Sequence, residues 1–241
     1  MNDSVQIIPL TRLALAFIPV CAVLFIINRW SLGIRTGLIA VFRMVSQLLL
    51  VGYVLTYIFG SQRALVSVSV VAVMLATAGW IALRPLGDDR LSRYPAVLVS
   101  ICVGSLSVLF IATQVVLDLP TWYDPSMLIP LAGIVLANSM NTVSLAAERF
   151  RAERQRGADY RTARHTAMST ALIPMTNSLL AVGLVSLPGM MTGQILSGVT
   201  PLVAVRYQVL VMCMIFGSAG LATSCYLVLQ RPGREADASA N

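Results

Sequence analysis

The sequence predicts an all-α fold, a polytopic transmembrane helical bundle, from three observations. The chain of 241 residues is 57% hydrophobic, is only 11% charged and has a mean hydropathy of +0.81, whereas a soluble domain usually carries about a quarter charged residues. Several apolar runs approach the roughly 20 residues that a helix needs to cross a bilayer. The charges are gathered in short segments between these runs. We therefore expect a multi-pass protein of the inner (plasma) membrane, with one transmembrane domain over residues 1–230.

About seven spans are predicted, each bounded by charged or turn-forming residues. In order, they are Leu10–Ile27, Gly37–Phe59, Ala64–Leu83, Pro95–Leu117, Met127–Ala147, Ser169–Leu187 and Val203–Leu229. The sixth is interrupted by Pro174, Gly183 and Pro188. Because proline breaks a helix, a second placement of this span over 182–199 fits the pattern as well.

The arginines orient the predicted bundle. The chain has no lysine, and 13 of its 17 arginines fall in 28–36, 84–94, 148–165 and the C-terminal tail. The alternate connections carry Arg63 alone, then two aspartates around TWYDP, then the uncharged GMMTGQILSGVT. Since cytoplasmic loops collect positive charge, we expect the N-terminus outside and the C-terminus inside. The polar tail, residues 231–241, is predicted to be disordered and cytoplasmic.

The composition also argues against several function classes. The short basic loops offer no surface for nucleic acid. No GxxxxGK[ST] motif occurs, so we expect no cofactor in this chain and ATP–Mg²⁺ only in a partner. The only histidine, His165, lies in a predicted cytoplasmic loop, which argues against an intramembrane protease. None of the ten carboxylates lies mid-span, where ion-coupled carriers keep ionisable residues. An enzyme is not expected, and transport energy should come from elsewhere.

Polar residues within the spans are candidates for a translocation path. Arg43 and Gln47 share one face of the second span. They either line a pore or latch helices together, unless Arg43 snorkels to the headgroups. The other amide candidates are Asn138, Asn141, Asn177 and Gln208. Such amides form interhelical hydrogen bonds or contact a substrate.

A methionine-rich, broken segment follows the sixth span. Met190 and Met191 are either soft-metal ligands or adaptable packing residues, and the metal ligands of the chain stay unknown. Gly189 and Gly193 form a GxxxG spacing that permits close helix approach. Pro188 should break a helix there. The segment is either a mobile element beside the substrate path or a simple outer loop.

The longest charged stretch is a loop at about 148–168, which begins ERFRAERQRGADYRTARH. Phe150, Tyr160, Ala163 and Ala167 form an apolar stripe between its arginines. A short helix with such a stripe can insert into a groove on a soluble partner. The alternative is a basic loop that follows the positive-inside rule and rests on anionic lipid.

Three segments of the chain resemble the FetB-like permeases, the membrane subunits of ABC transporters assigned to iron export. The main one is VGLVSLPGMMTGQILSGVTPLVAVRYQVLVMCMIFGSAGLAT at Val182–Thr223. The others are FRMVSQLLLVGYVLTYIF at Phe42–Phe59 and MLIPLAGIVLANSMNTVSL at Met127–Leu145. The resemblance covers most of the chain in the expected order.

The resemblance implies a homodimeric permease that recruits a separate ABC-type ATPase and exports iron or another metal. It places an ATPase-coupling helix between the fifth and sixth spans, within Gln155–Pro174. This chain departs from the pattern there, because the helix is about one turn shorter and richer in arginine. The coupling candidates are Arg151, Arg154, Arg156, Gly157, Ala158 and Tyr160. An ATPase-independent carrier or channel for a small solute, and a scaffold without transport, are the alternatives.

Overall fold

The structure, a computed structural model, describes residues 8–60 and 63–231 and divides the chain into two units, Met1–Gly60 and Ser61–Asn241. The single permease domain predicted over residues 1–230 stays a prediction about the assembled protein. The predicted tail falls almost wholly on residues 232–241, which lie outside the described residues.

The first unit contains two membrane-length helical segments. Helices α1 (Leu10–Leu15) and α2 (Phe17–Arg29) are joined at Ala16 and together form one candidate span. Gly33 takes a left-handed φ of +83° and turns the chain into α3 (Ile34–Phe59). A Cβ on Gly37 would lie 2.7 Å from Cδ2 of Leu24, so a glycine there lets α2 and α3 approach closely.

The second unit is a bundle whose centre is formed by three helices. Its elements are α4 (Ala64–Ala82), a 3₁₀ helix (Arg84–Asp89), α5 (Arg90–Phe110), a π-helical stretch (Ile111–Val116), α6 (Pro125–Gln155), α7 (Tyr160–Ala181), α8 (Gly189–Leu196) and α9 (Pro201–Leu229). Helices α5, α6 and α9 pack on one another. Around them, α4 packs on α5 and α6, α7 packs on α6 and α9, and α8 packs on α9.

The α5–α9 contact depends on small residues. A Cβ on Gly104 would lie 2.4 Å from the backbone nitrogen of Ala222, closer than any real Cβ contact. One residue further along α5, the hydroxyl of Ser105 donates to Oγ of Ser139 on α6 at 3.0 Å, in the buried core. Small residues at membrane helix contacts let backbones approach and let hydroxyls bridge between helices.

The fold class is confirmed as a polytopic helical bundle. By length and composition, six helical segments of the described residues can cross a membrane: Leu10–Arg29, Ile34–Val54, Ala64–Ala82, Arg90–Val116, Pro125–Gln155 and Pro201–Leu229. The orientation of the termini stays a prediction.

The predicted sixth span differs from the observed helices. In its place, α7 begins at Tyr160, nine residues earlier, and its first turns carry the polar run YRTARHT. The helix ends at Ala181 because the backbone at Gly183 is left-handed, with a φ of +83°. The chain then turns through residues 182–188 into the short α8. Thus the apolar residues of this region are divided between two helices.

Candidate functional site

The candidate site is the hairpin formed by the end of α6 and the start of α7. Helix α6 has 31 residues, which corresponds to about 46 Å, whereas the hydrocarbon core of a bilayer is about 30 Å thick. The excess lies at its charged end, where the sequence reads ERFRAERQ. The connection to α7 consists of residues 156–159 only. The predicted loop at about 148–168 is therefore two helix ends joined by a tight turn.

Both sides of this turn are capped by hydrogen bonds. Gly157 adopts a φ of +87°, and its N–H donates to the carbonyl oxygen of Arg154 at 3.1 Å. The N–H of Ala158 donates to the backbone carbonyl oxygen of Glu153 at 3.1 Å, which completes a Schellman motif at the end of α6. Asp159 then caps α7, because its Oδ1 accepts from the backbone N–H of Thr162 at 3.2 Å. Hydrogen bonds from Thr162 lower the pKa of the Asp159 carboxyl from its ordinary value.

The arginines of the hairpin fall into two groups. At the tip, the guanidinium of Arg154 donates to the carbonyl of Ala158 at 2.9 Å, and Arg156 lies 3.5 Å from the carboxylate of Glu153. The Arg156 side chain is 69% exposed. By contrast, Arg151 turns toward the 3₁₀ helix, where it donates to the carbonyl of Leu86 at 2.7 Å and lies 3.6 Å from a carboxylate oxygen of Asp89. Arg151 therefore ties α6 to the 3₁₀ helix.

Tyr160 fastens the start of α7 to its neighbours. Its hydroxyl donates to the carbonyl oxygen of Leu227 on α9 at 2.8 Å. Its ring packs edge-on against Phe150, with centroids 6.1 Å apart, and the guanidinium of Arg164 lies 5.5 Å from the ring centroid. The hairpin is thus joined to α9 as well as to the 3₁₀ helix.

Beside the hairpin lies a cavity of about 430 Å³, which we call the arginine cavity. It opens between the 3₁₀ helix, the start of α5, the end of α6 and the end of α9. Its lining consists of Leu86, Asp89, Arg93, Ala147, Phe150, Arg151, Arg154, Gln155, Tyr226 and Gln230. Arg93 donates to the amide oxygen of Gln230 across its α5–α9 side.

The structure brings all six predicted coupling residues together on the hairpin. The tip arginines, Arg154 and Arg156, are exposed, together with Gly157, and the Arg151 side chain is 41% exposed. Arg151 and Tyr160 make contacts within the chain, and Ala158 is half-buried. Whether these residues couple to a partner stays a prediction.

The predicted apolar stripe of this region has a different role from insertion into a partner. Ala163 and Ala167 are completely buried, and Phe150 is nearly so. They belong to the same apolar core as α6 and α9. Because α7 begins earlier than predicted, its small residues pack inside the bundle and are not available to a soluble protein.

Two translocation candidates lie in the first unit. Arg43 and Gln47 are both exposed on α3 and line a shallow cavity of about 500 Å³ that is otherwise largely apolar. The structure therefore supports their placement on one helix face, which the sequence predicted.

The amide candidates are spread over three helices of the second unit. The Nδ2 of half-buried Asn138 donates to the carbonyl of Ile134 in its own helix, at 2.8 Å. Asn141 and Asn177 are exposed. Gln208 is buried in α9, and its Oε1 has no hydrogen-bond partner among the described residues. Of the four, Gln208 is the one with a buried side-chain oxygen that lacks a hydrogen-bond partner among the described residues.

The broken segment begins at Pro188, which directly precedes α8 as its helix-breaking character predicts. Met190 and Met191 are half-buried, and Met190 packs against the apolar core. A Cβ on Gly189 or Gly193 would meet nothing within 4 Å. The close approach that the GxxxG spacing permits is not made within the described part of this chain.

Sequence reasoning missed two features that the fold makes evident. One is the close contact of α5 with α9 at Gly104, for which the small residues in SICVGS and GSAGLAT were the available signal. The lining of the arginine cavity from Leu86, Arg93 and Gln230 joins three segments distant in sequence. Their shared position at arginine-bearing span ends was the only hint.

Within residues 8–60 and 63–231, no group of three or more His, Cys, Asp or Glu side chains could hold a metal ion.

Comparison with known proteins finds one matching family and several similar proteins. The model of the family described as "Uncharacterised protein family (UPF0014)" matches residues 10–232. The chain is 35% identical to a UPF0014 membrane protein of Synechocystis over 75% of this chain and 76% of that protein. It is 32% identical to the "Probable iron export permease protein FetB" of Escherichia coli over 91% and 90% of the two chains. It is also 31% identical to the "Protein ALUMINUM SENSITIVE 3" of Arabidopsis thaliana, over 78% and 74%. No solved structure matches.

Proposed function

This chain belongs to the UPF0014 family of membrane permeases, and on that basis we propose that it is the membrane subunit of an ABC transporter that exports a metal ion, with iron as the first candidate. A separate ATPase subunit supplies the energy, and two copies of the permease form the transmembrane pathway. The named function of the Escherichia coli relative supports the metal and the direction of transport.

The observation that carries the proposal is the construction of the α6–α7 hairpin. A partner that drives transport needs a protruding element that is stiff and is joined to the spans it must move. The Schellman motif and the Asp159 cap stiffen the turn. Tyr160 links it to α9, and Arg151 links it to the 3₁₀ helix. Movement at the tip is therefore transmitted to several packed helices together.

The positions of the carboxylates support an external energy source. Among the described residues, Asp88 and Asp89 lie in the 3₁₀ helix, Asp118 and Asp124 lie between the π-helical stretch and α6, Glu148 and Glu153 lie near the end of α6, and Asp159 caps α7. Ionisable residues that relay protons or sodium lie within the membrane. The sequence contains no phosphate-binding loop either. Both facts favour a chain driven by a partner's ATP hydrolysis.

A path for the metal is proposed near the start of α9. The unpartnered Oε1 of Gln208 is buried, and a buried oxygen without a partner is costly unless something completes its hydrogen bonding or coordination. Met190 and Met191 on the adjoining α8 add thioethers, which prefer soft cations. Gly189 and Gly193 leave open space for a second copy of the chain. We propose that these residues lie along the path of the metal ion.

The deciding experiment is transport in proteoliposomes that contain the permease and its candidate ATPase. We expect movement of iron that requires ATP and stops when the catalytic glutamate of the ATPase is replaced by glutamine. Vesicles with the permease alone should show only background flux. Iron movement at the same rate without ATP or ATPase would refute the proposal and favour an independent carrier or channel.

A matched pair of double variants tests the hairpin. Arg154→Glu with Arg156→Glu reverses the two exposed tip charges, and we expect ATPase co-purification to fall by about tenfold or more because opposed charges become like charges. Arg29→Glu with Arg35→Glu makes the same change of charge at exposed positions of another predicted cytoplasmic loop. Only the hairpin pair should lose the ATPase. Equal retention in both double variants would exclude the tip as the docking element.

A further inference from the structure

The arginine cavity has a composition suited to an anion. Three arginines and one carboxylate, Asp89, line it, together with the amides of Gln155 and Gln230. Guanidinium and amide groups are hydrogen-bond donors, and the guanidinium plane matches the oxygens of a phosphate. The volume of about 430 Å³ lies within the range of small-ligand pockets.

Two of these arginines are positioned mainly by neutral groups. Arg151 donates to the carbonyl of Leu86, and Arg154 donates to the carbonyl of Ala158. A carbonyl orients a guanidinium without cancelling its charge. The carboxylate of Asp89 lies 3.6 Å from Arg151, and the Asp89 side chain is 54% exposed, so solvent weakens this ion pair. The two guanidinium groups are therefore fixed in place while their positive charge is largely retained.

Part of the cavity wall is buried and apolar. Phe150 and Tyr226 are 7% and 1% exposed, and both line the cavity. The guanidinium groups therefore lie against the packed contact between α6 and α9.

The position of the cavity along α6 corresponds to the lipid headgroups. Pro125 follows Trp122 and Tyr123, residues typical of a membrane interface. About 20 residues of α6 cross the hydrocarbon core, which leaves roughly the last 11 beyond it. The cavity residues of α6 lie between Ala147 and Gln155, within that end. Arginine side chains on a helix point back toward its N-terminus, that is, toward the bilayer.

From these observations we propose that the arginine cavity binds the phosphate of an anionic phospholipid headgroup. Basic pockets between membrane helices are known to recognise such headgroups. The acyl chains remain in the surrounding bilayer while Arg151 and Arg154 hold the phosphate. The bound lipid joins the ends of α5, α6 and α9 at the base of the hairpin. This inference does not depend on the proposed transport function.

An acidic segment of a partner protein is the competing occupant. The exposed tip residue Arg156, the natural first contact for a soluble protein, does not line the cavity. The cavity lies instead at the level that lipid already occupies. Lipid is therefore the occupant that the geometry favours.

The test is native mass spectrometry of the full-length protein in detergent, titrated with dioleoyl phosphatidylglycerol, dioleoyl phosphatidylcholine or inorganic phosphate. We expect selective retention of phosphatidylglycerol. Arg151→Gln should weaken it by about tenfold, as the loss of one charge-assisted hydrogen bond implies. Arg154→Gln should weaken the binding as well. Because the hydrogen bond that it removes is exposed, this second variant should still fold. Asp89→Asn should tighten binding, because it removes the negative charge from the lining.

Arg156→Gln is the matched control, since it removes one charge from the same hairpin outside the cavity. Unchanged binding in this variant, together with opposite effects of Arg151→Gln and Asp89→Asn, supports the site. Competition by inorganic phosphate at similar concentration would support an anion site filled by free phosphate rather than by lipid. Equal binding of the two lipids, or an equal loss with Arg156→Gln, would overturn the proposal. Displacement of the bound lipid by an acidic peptide would also overturn the proposal.

Discussion

The substitution Gly104→Ala tests the close contact between α5 and α9, the tightest that surrounds any described glycine. The new Cβ would lie 2.4 Å from the backbone nitrogen of Ala222 and 2.7 Å from its Cα and Cβ. An ordinary contact needs about 3.4 Å, so α5 and α9 would have to separate by about 1 Å. Such a gap forfeits a quarter to a half of each dispersion contact that it opens. Because the nearest atom belongs to the backbone, no rotamer change relieves the clash.

We expect Gly104→Ala to destabilise the protein by about 3 kcal/mol, the upper end of the usual cost of overpacking. At about 2–4 °C per kcal/mol for a chain of this size, the midpoint of thermal unfolding should fall by roughly 6–12 °C. The assay is thermal unfolding of the purified protein in detergent, followed by intrinsic fluorescence.

A matched control lies on the facing helix. Gly220→Ala adds the same methyl group to α9 where nothing lies within 4 Å, and alanine is the better helix former. Its unfolding midpoint should stay level or rise. Combining Gly104→Ala with Ala222→Gly should restore only part of the loss, because the clash with the backbone nitrogen persists. A midpoint for Gly104→Ala within about 1 °C of the parent protein would refute the inferred α5–α9 approach.

Two further outcomes are expected. In a double-mutant cycle, Ser105→Ala and Ser139→Ala should show a coupling free energy of unfolding of about 0.6–2 kcal/mol, because their 3.0 Å hydrogen bond is buried between helices. Strictly additive effects of the two substitutions would contradict this coupling. The depressed pKa of Asp159 means that its cap stabilises the folded chain fully above the unfolded carboxyl pKa of about 3.9 and loses this contribution as the pH falls through the lower folded value. Asp159→Asn should keep the cap but remove that part of the acid sensitivity, measured as the unfolding midpoint from pH 6 to pH 2; identical pH profiles would count against this role.

The sequence predicted the spans best where hydrophobicity alone decides the helix. The segment predicted as Ala64–Leu83 is observed as Ala64–Ala82 and the one predicted as Val203–Leu229 as Pro201–Leu229. Prediction was weaker at 160–196, where polar, apolar and helix-breaking residues alternate. There the left-handed Gly183 and the burial of Ala163 and Ala167 set the helix bounds. Neither feature can be read from a hydropathy window.

The candidate site was predicted in part. The arginine-rich stretch predicted a loop between two spans, since charge stays out of the bilayer. It could not show that Arg151 bonds to Leu86 while Arg156 stays at the tip, because that contact depends on a residue about 65 positions away. The buried, unpartnered oxygen of Gln208 likewise exists only because α9 packs as it does.

By itself, the sequence determined that this is a helical membrane protein and which segments are apolar enough to lie in lipid, because transfer of side chains into a bilayer is a property of each segment. Tertiary packing decided which small residues touch, which arginines bond to a neighbouring helix and where the arginine cavity forms. These features join α5, α6 and α9 across distant parts of the chain. They depend on how closely two backbones approach, as at Gly104 and Ala222, and composition does not encode such distances.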